Sequence, residues 1–106
     1  MRIAIIGLGK MGNQIARKLH EAGHSVVVND HKASSVDEMK ALGMTAGYTR
    51  EEIIKAFGKD QVIIWMMIPA DVVDSELTEW LKLIPKGSIL IDFCNRSRGS
   101  RVGHQV

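Results

Sequence analysis

Apolar and polar residues fall in blocks along this chain, and the blocks differ in period. Ile3 to Ile6 is an unbroken apolar run stopped by Gly7, the pattern of a short buried strand. From Lys10, apolar residues recur at Met11, Ile15, Leu19 and Ala22, a helical stripe that Gly23 is placed to end in the left-handed conformation. Ser25 to Asn29 holds Val26, Val27 and Val28, β-branched residues suited to a second strand. Ser35 and Glu38 have capping-box spacing, followed by a helical face of Val36, Met39 and Leu42 that stops at Gly43. Thr45 to Tyr48 reads as a short third strand. Thr49 and Glu52 repeat the capping-box spacing ahead of Ile53, Ile54 and Phe57, and Gly58 ends that helix.

Gln61 to Ile68 is apolar on both faces, as expected of a strand covered on both sides, and Pro69 ends it. Asp71 is placed to cap a helix whose face is Val73, Leu77, Trp80, Leu81 and Ile84. Pro85 and Gly87 break the chain before a last strand, Ile89 to Ile91, with Asp92 at its end. Strands that alternate with helices predict an α/β fold: a Rossmann-type, doubly wound parallel sheet of about five strands in the order 3-2-1-4-5, ending before a sixth. The reading divides the chain into one domain over 1–95 and a basic tail over 96–106 without helical or strand period, expected to be disordered.

Composition narrows the class. The 106 residues include 14 Lys+Arg and 12 Asp+Glu, for a net charge of +2. Arg96, Arg98 and Arg101 lie in the tail with no acid beside them, so the body is slightly acidic. A basic tail without interleaved aromatics is a poor nucleic-acid surface, and none is expected as a partner. The longest apolar run, Val62 to Ile68, is far short of a membrane span. The start of the chain is unlike a signal peptide, and Cys94 is the single cysteine. The expectation is a cytoplasmic protein with no membrane partner.

The residues that carry chemistry lie between the first strand and the first helix. Gly7-Leu8-Gly9-Lys10-Met11-Gly12 has the pattern G-x-G-x-x-G, and Asp30 closes the second strand 18 residues beyond Gly12. In a strand–turn–helix setting this is a dinucleotide fingerprint. Gly7 permits the turn, Gly9 leaves room for a pyrophosphate, and Gly12 lets helix and strand approach. Free amides at the helix start attract the phosphates. Asp30 accepts hydrogen bonds from ribose hydroxyls and repels a 2′-phosphate, which favours NAD. His31 and Lys32 can hold such a phosphate, which keeps NADP open. The bland alternative, a glycine turn with a loop-capping Asp30, requires all these features to coincide.

The stretch Ile3 to Asn13 resembles the N-terminus of 6-phosphogluconate dehydrogenases and their β-hydroxyacid dehydrogenase relatives. Gly23 to Val28, Trp65 to Ala70, Lys86 to Asp92 and Asn95 continue the likeness over residues 1–95. The Trp65-Met66-Met67-Ile68-Pro69-Ala70 stretch is most similar to the decarboxylating branch. The resemblance implies a nicotinamide-dependent oxidoreductase acting on a phosphorylated sugar acid, 6-phosphogluconate. It implies cofactor contacts at Leu8, Gly9, Lys10 and Met11, at Asp30, in the loop Met67, Ile68, Pro69 and Ala70, and at Asn95 near the nicotinamide. Many NADP-using relatives carry Asn-Arg at this point, and Asn29-Asp30-His31 departs from that, which supports NAD.

Two departures accompany the likeness. The family has two glycines where this chain has Phe93 and Cys94, so the nicotinamide loop takes another path or the pocket is altered. The family's catalytic Lys and Asn belong to a later helical domain. No catalytic residue is expected in this chain, and the expectation is cofactor binding without turnover. A nucleotide-sensing or dimerising module is the alternative, with homodimerisation through the open sheet edge at Ile89–Ile91 or its covering helices. His20, His24, His31 and His104 have no metal-ligand spacing with Cys94 or one another, and no metal site is expected. Cys94 reads as a packed loop residue. The acidic pairs Asp37-Glu38 and Glu51-Glu52 read as helix-dipole partners rather than general acids.

Overall fold

The structure, a computed structural model, describes residues 2–92 and 101–105. Five β-strands and four helices alternate: β1 (Arg2–Ile6), α1 (Lys10–Glu21), β2 (Ser25–Asn29), α2 (Ala33–Ala41), β3 (Thr45–Ala46), α3 (Arg50–Phe57), β4 (Ile63–Met66), α4 (Ala70–Leu83) and β5 (Ile89–Asp92). These five strands are parallel and lie in the order β3-β2-β1-β4-β5, as the alternation predicts. The chain order reverses between β1 and β4, so the loops after β1 and β4 diverge there and leave a crevice.

One strand was not expected. Arg101–Gln105 forms β6, antiparallel to β5 with a register shift between Leu90 and Asp92. The five parallel strands are those the sequence predicts, and β6 adds an antiparallel strand at their edge from a segment whose sequence shows no strand period. The unpaired N–H and C=O groups of β5 are the physical cause, because an open edge accepts any nearby extended backbone. The Ile89–Ile91 edge proposed for dimerisation is occupied by the chain itself.

Alternation along the strands sends side chains to two cores. Ala4, Ile6, Val27, Ile64, Met66 and Leu90 meet Ile53 and Phe57 of α3 and Trp80 of α4 on one face. Ile3, Ile5, Val26 and Val28 meet Ala16 of α1 and Val36 and Met39 of α2 on the other. This two-sided cover explains the apolar strands.

Two helix starts differ from their expected caps. α2 begins at Ala33 with Lys32 as its N-cap and no side-chain cap, because Asp30 Oδ1 accepts the Lys32 N–H (2.9 Å) and the turn starts before Ser35. α4 begins at Ala70 behind Pro69, whose fixed φ of −58° leads into the helix, so Asp71 lies in the first turn instead of capping it. The cap at Thr49 forms as expected: its Oγ1 accepts the Glu52 N–H (3.1 Å), while Glu52 Oε1 accepts the Tyr48 N–H (3.2 Å).

Candidate functional site

The crevice is built by backbone. Gly7 leaves β1 with φ +96°, a conformation that L side chains rarely adopt. Its N–H donates to the Asn29 carbonyl (2.8 Å), and the Met67 N–H donates to the Ile6 carbonyl (2.6 Å). The loops after β1, β2 and β4 thus leave the sheet side by side. A Cβ on Gly7 would stand 2.5 Å from the Met67 carbonyl oxygen. One on Gly12 would overlap the Gly7 carbonyl, so α1 packs directly on the loop. Gly9 differs: a Cβ there meets no atom within 4 Å and would project into open space. Of the three fingerprint glycines, two are required by the fold and one keeps space clear.

Gly9 is also the N-cap of α1, which has no side-chain cap and no acidic residue in its first turn. α3, by contrast, has the Thr49 cap with Glu51 and Glu52 in its first turn. The start of α1 therefore keeps its amide donors and positive dipole end for an outside acceptor.

A cavity of about 580 Å³ opens over this helix start, lined by Gly7, Leu8, Gly9, Met11, Asp30, His31, Lys32, Ser35, Met67, Ile68 and Pro69. A second, of about 670 Å³, shares Gly7, Asp30, His31, Ile68 and Pro69 with it and continues past Tyr48, Thr49, Arg50, Val72 and Glu76. Each is of a size suited to a small ligand, and their shared wall suits an elongated one. Asp30 stands on that wall. Its Oδ2 accepts the Leu8 N–H (2.5 Å) and its Oδ1 accepts the Lys32 N–H, while His31 Nδ1 lies 3.1 Å from Oδ1. Its side chain is 7% exposed. Asp30 ties the glycine loop to the start of α2, a role the spacing alone did not indicate.

Arg50 and Glu76 are joined across the second cavity at 2.6 Å. The Tyr48 hydroxyl donates to Asp37, and that bond is the main reason its phenol lies above the ordinary value. Ten of the fourteen candidate residues named from the sequence thus line one cavity, Lys32 among them, and Ala70 opens α4. Lys10 faces a shallower hollow with Asn13 and Gln14, and Gly12 lies beneath the loop. Asn95, Phe93 and Cys94 lie outside the described residues. Ser35 and the Tyr48–Arg50 segment were missed. Their signal was topological: in a parallel sheet every strand-to-helix loop emerges at the same end. Among the described residues no three His, Cys, Asp or Glu side chains are grouped to hold a metal. No helix there is long and apolar enough to cross a membrane.

A glycine loop, an open helix start and an acidic residue after the second strand, all at the reversal of strand order, define a dinucleotide-binding domain of the Rossmann class. The chain belongs to the family described as the NAD binding domain of 6-phosphogluconate dehydrogenase, whose model matches residues 2–102. It is 36% identical over 95 residues to YqeC of Bacillus subtilis, provisionally named a 6-phosphogluconate dehydrogenase, covering 90% of this chain and 32% of that protein. It is 30% identical over 93 residues to the NAD(+)-dependent, decarboxylating 6-phosphogluconate dehydrogenase of Haloferax volcanii, covering 87% of this chain and 31% of the relative. Among solved structures, 3-hydroxyisobutyrate dehydrogenase of Mycobacterium tuberculosis matches with a TM-score of 0.74 at 25% identity, over 88% of this chain and 31% of that one. The chain spans about a third of the length of these two curated relatives.

Proposed function

We propose that this chain is the cofactor-holding part of a dehydrogenase of the 6-phosphogluconate type, that it binds NAD in preference to NADP, and that it does not turn over substrate by itself. The open start of α1 beneath Gly9 carries the reading. Its uncapped amides suit a pyrophosphate, and among the described residues a Cβ on Gly9 would meet nothing within 4 Å. Leu8, Gly9, Lys10 and Met11 would hold the phosphates. Asp30 would accept the ribose hydroxyls, since each carboxylate oxygen retains a lone pair beyond the N–H it already accepts. Its charge opposes a 2′-phosphate, and the Haloferax relative is named as NAD(+)-dependent. Met67, Ile68 and Pro69 would form the apolar wall toward the nicotinamide. A bound nicotinamide supplies the hydride acceptor, and the protein supplies position and electrostatics.

The resemblance puts the family's catalytic Lys and Asn in a later helical domain, so 6-phosphogluconate oxidation would need residues beyond those around this cavity. Residues 1–95 are assigned to this role, and the single Cys94 fits a reducing cytoplasm. A second copy would meet the sheet edge at Arg101–Gln105 rather than at Ile89–Ile91.

Tryptophan fluorescence titration with NADH and NADPH tests the reading, because Trp65 sits on β4 two residues before Met67 of the cavity wall. Saturable binding, tighter for NADH, is expected, and 6-phosphogluconate with NAD should yield no reduced cofactor. Absence of binding for both dinucleotides would overturn the assignment.

A further inference from the structure

Five methionines lie among the described residues, and they divide by exposure. Met39 and Met66 are fully enclosed and Met44 is 5% exposed, whereas Met11 is 48% exposed. Met67 is half-buried. Met11 and Met67 line the first cavity, one from the first turn of α1 and the other from the loop after β4. An exposed thioether meets solutes that a packed one does not, so the methionine most open to an oxidant stands at the cavity mouth.

The turn that carries Met11 is also the turn with free donors. Its first helical hydrogen bond runs from the Asn13 N–H to the Gly9 carbonyl (2.9 Å). The amides of Lys10, Met11 and Gly12 precede that bond and have no partner in the helix, and no side chain caps the start.

We propose that Met11 is a modification site: a peroxide oxidises its thioether to the sulfoxide, and the modified side chain shuts the helix start against a dinucleotide. The proposal rests on the reading of the cavity as a dinucleotide site. With hydrogen peroxide, the sulfur lone pair attacks one peroxide oxygen, an S–O bond forms and the O–O bond breaks. The departing hydroxide takes the proton of the transferred hydroxyl and leaves as water. Sulfur loses two electrons and the peroxide gains them. The product exchanges a flexible apolar group for a polar one with a strong acceptor oxygen. That oxygen competes with phosphate for the free amides of α1. A ligand seated against Leu8, Ile68 and Pro69 must also strip water from it. Sulfoxide reductases return the thioether, so the change is reversible.

The test exposes the chain to hydrogen peroxide, removes the peroxide with catalase, and reduces Cys94 with dithiothreitol. Peptide mass spectrometry then locates the added oxygen, and tryptophan fluorescence gives the NADH dissociation constant. Oxygen should appear at Met11 before Met39, Met44 or Met66. The constant should rise about tenfold, the scale of burying one unpaired polar group. The two methionine sulfoxide reductases, one for each epimer, should restore it. Met11→Leu, whatever its own starting constant, should keep that constant through the same treatment. Met67→Leu should lose affinity as the unaltered chain does. Oxidation of Met11 without loss of affinity would overturn the proposal and leave the dinucleotide site standing. An equal loss of affinity in Met11→Leu would do the same, since the sensitive group would lie elsewhere. Absence of NADH binding before any peroxide would remove the site and the inference with it.

Discussion

Three glycines of one motif do different work, and the difference is measurable. Gly12 lies against the Gly7 carbonyl, so a methyl group there must push α1 off the loop. Gly12→Ala should cost about 1–3 kcal/mol in denaturant unfolding, the usual penalty for overpacking, and should weaken NADH binding through the displaced loop. Gly9 has φ −67°, which alanine adopts freely, and nothing stands near its Cβ position. Gly9→Ala should leave the unfolding midpoint almost unchanged while lowering NADH affinity about tenfold or more, because the methyl occupies the pyrophosphate approach. Equal losses of stability in the two variants would contradict the division of roles. The motif was legible as three glycines, but which one faces the ligand became visible only once the loop was folded against Met67.

At the scale of elements, helix starts sort by purpose. Thr49 spends its hydroxyl on the Glu52 N–H, so α3 is closed by its own sequence. Thr49→Ala should cost about 1 kcal/mol in thermal or denaturant unfolding, as for other N-cap losses. A change under a few tenths would mean that the Glu52 carboxylate, which accepts the Tyr48 N–H, holds the turn without it. Capping-box spacing predicted this helix well. The same spacing at Ser35 and Glu38 misplaced the start of α2, since the Asp30 carboxylate captured the Lys32 N–H first. A side chain from outside the helix outranked the local signal. The apolar stripe of α1 holds at Ile15 and Leu19, which pack against the core, and not at Met11 or Ala22. Gly12 and Ala16 are the buried positions, while Met11 is 48% exposed at the cavity mouth. Small residues were selected for close approach to the sheet, and hydrophobicity alone ranks them below Met11.

The whole molecule depends on a small core. Trp80 and Phe57, each almost fully buried, join α4 and α3 to the sheet beside Ile64, Met66 and Leu90. A domain of this size has about 5–15 kcal/mol of stability in total. Trp80→Ala, at about 3–5 kcal/mol, should bring it near the unfolding threshold, seen as a large drop in melting temperature. The Trp80 Nε1 has no hydrogen-bond partner among the described residues. Trp80→Phe therefore loses no bond and should cost less than about 1.5 kcal/mol, measured by denaturant unfolding. A loss as large as that of Trp80→Ala would mean that the ring's full volume is indispensable. The opposite face is less complete. Ile63 and Trp65 of β4 pair with Ile89 and Ile91 of β5, and all four are half-buried, although the sequence reading expected a strand covered on both sides.

The sequence by itself determined the alternation of strands and helices, the parallel sheet and its order, and the position of the glycine loop. Those follow from local period, from β-branched and glycine chemistry, and from the handedness of crossovers, all of which act over short stretches of chain. Tertiary structure decided what depends on neighbours distant in sequence. It set Asp30 against Leu8 and His31, brought the Tyr48–Arg50 segment to the same end as the glycine loop, and gave the β5 edge to Arg101–Gln105. Backbone donors and acceptors find whichever partner the fold brings close, and no residue pattern within either segment encodes that meeting.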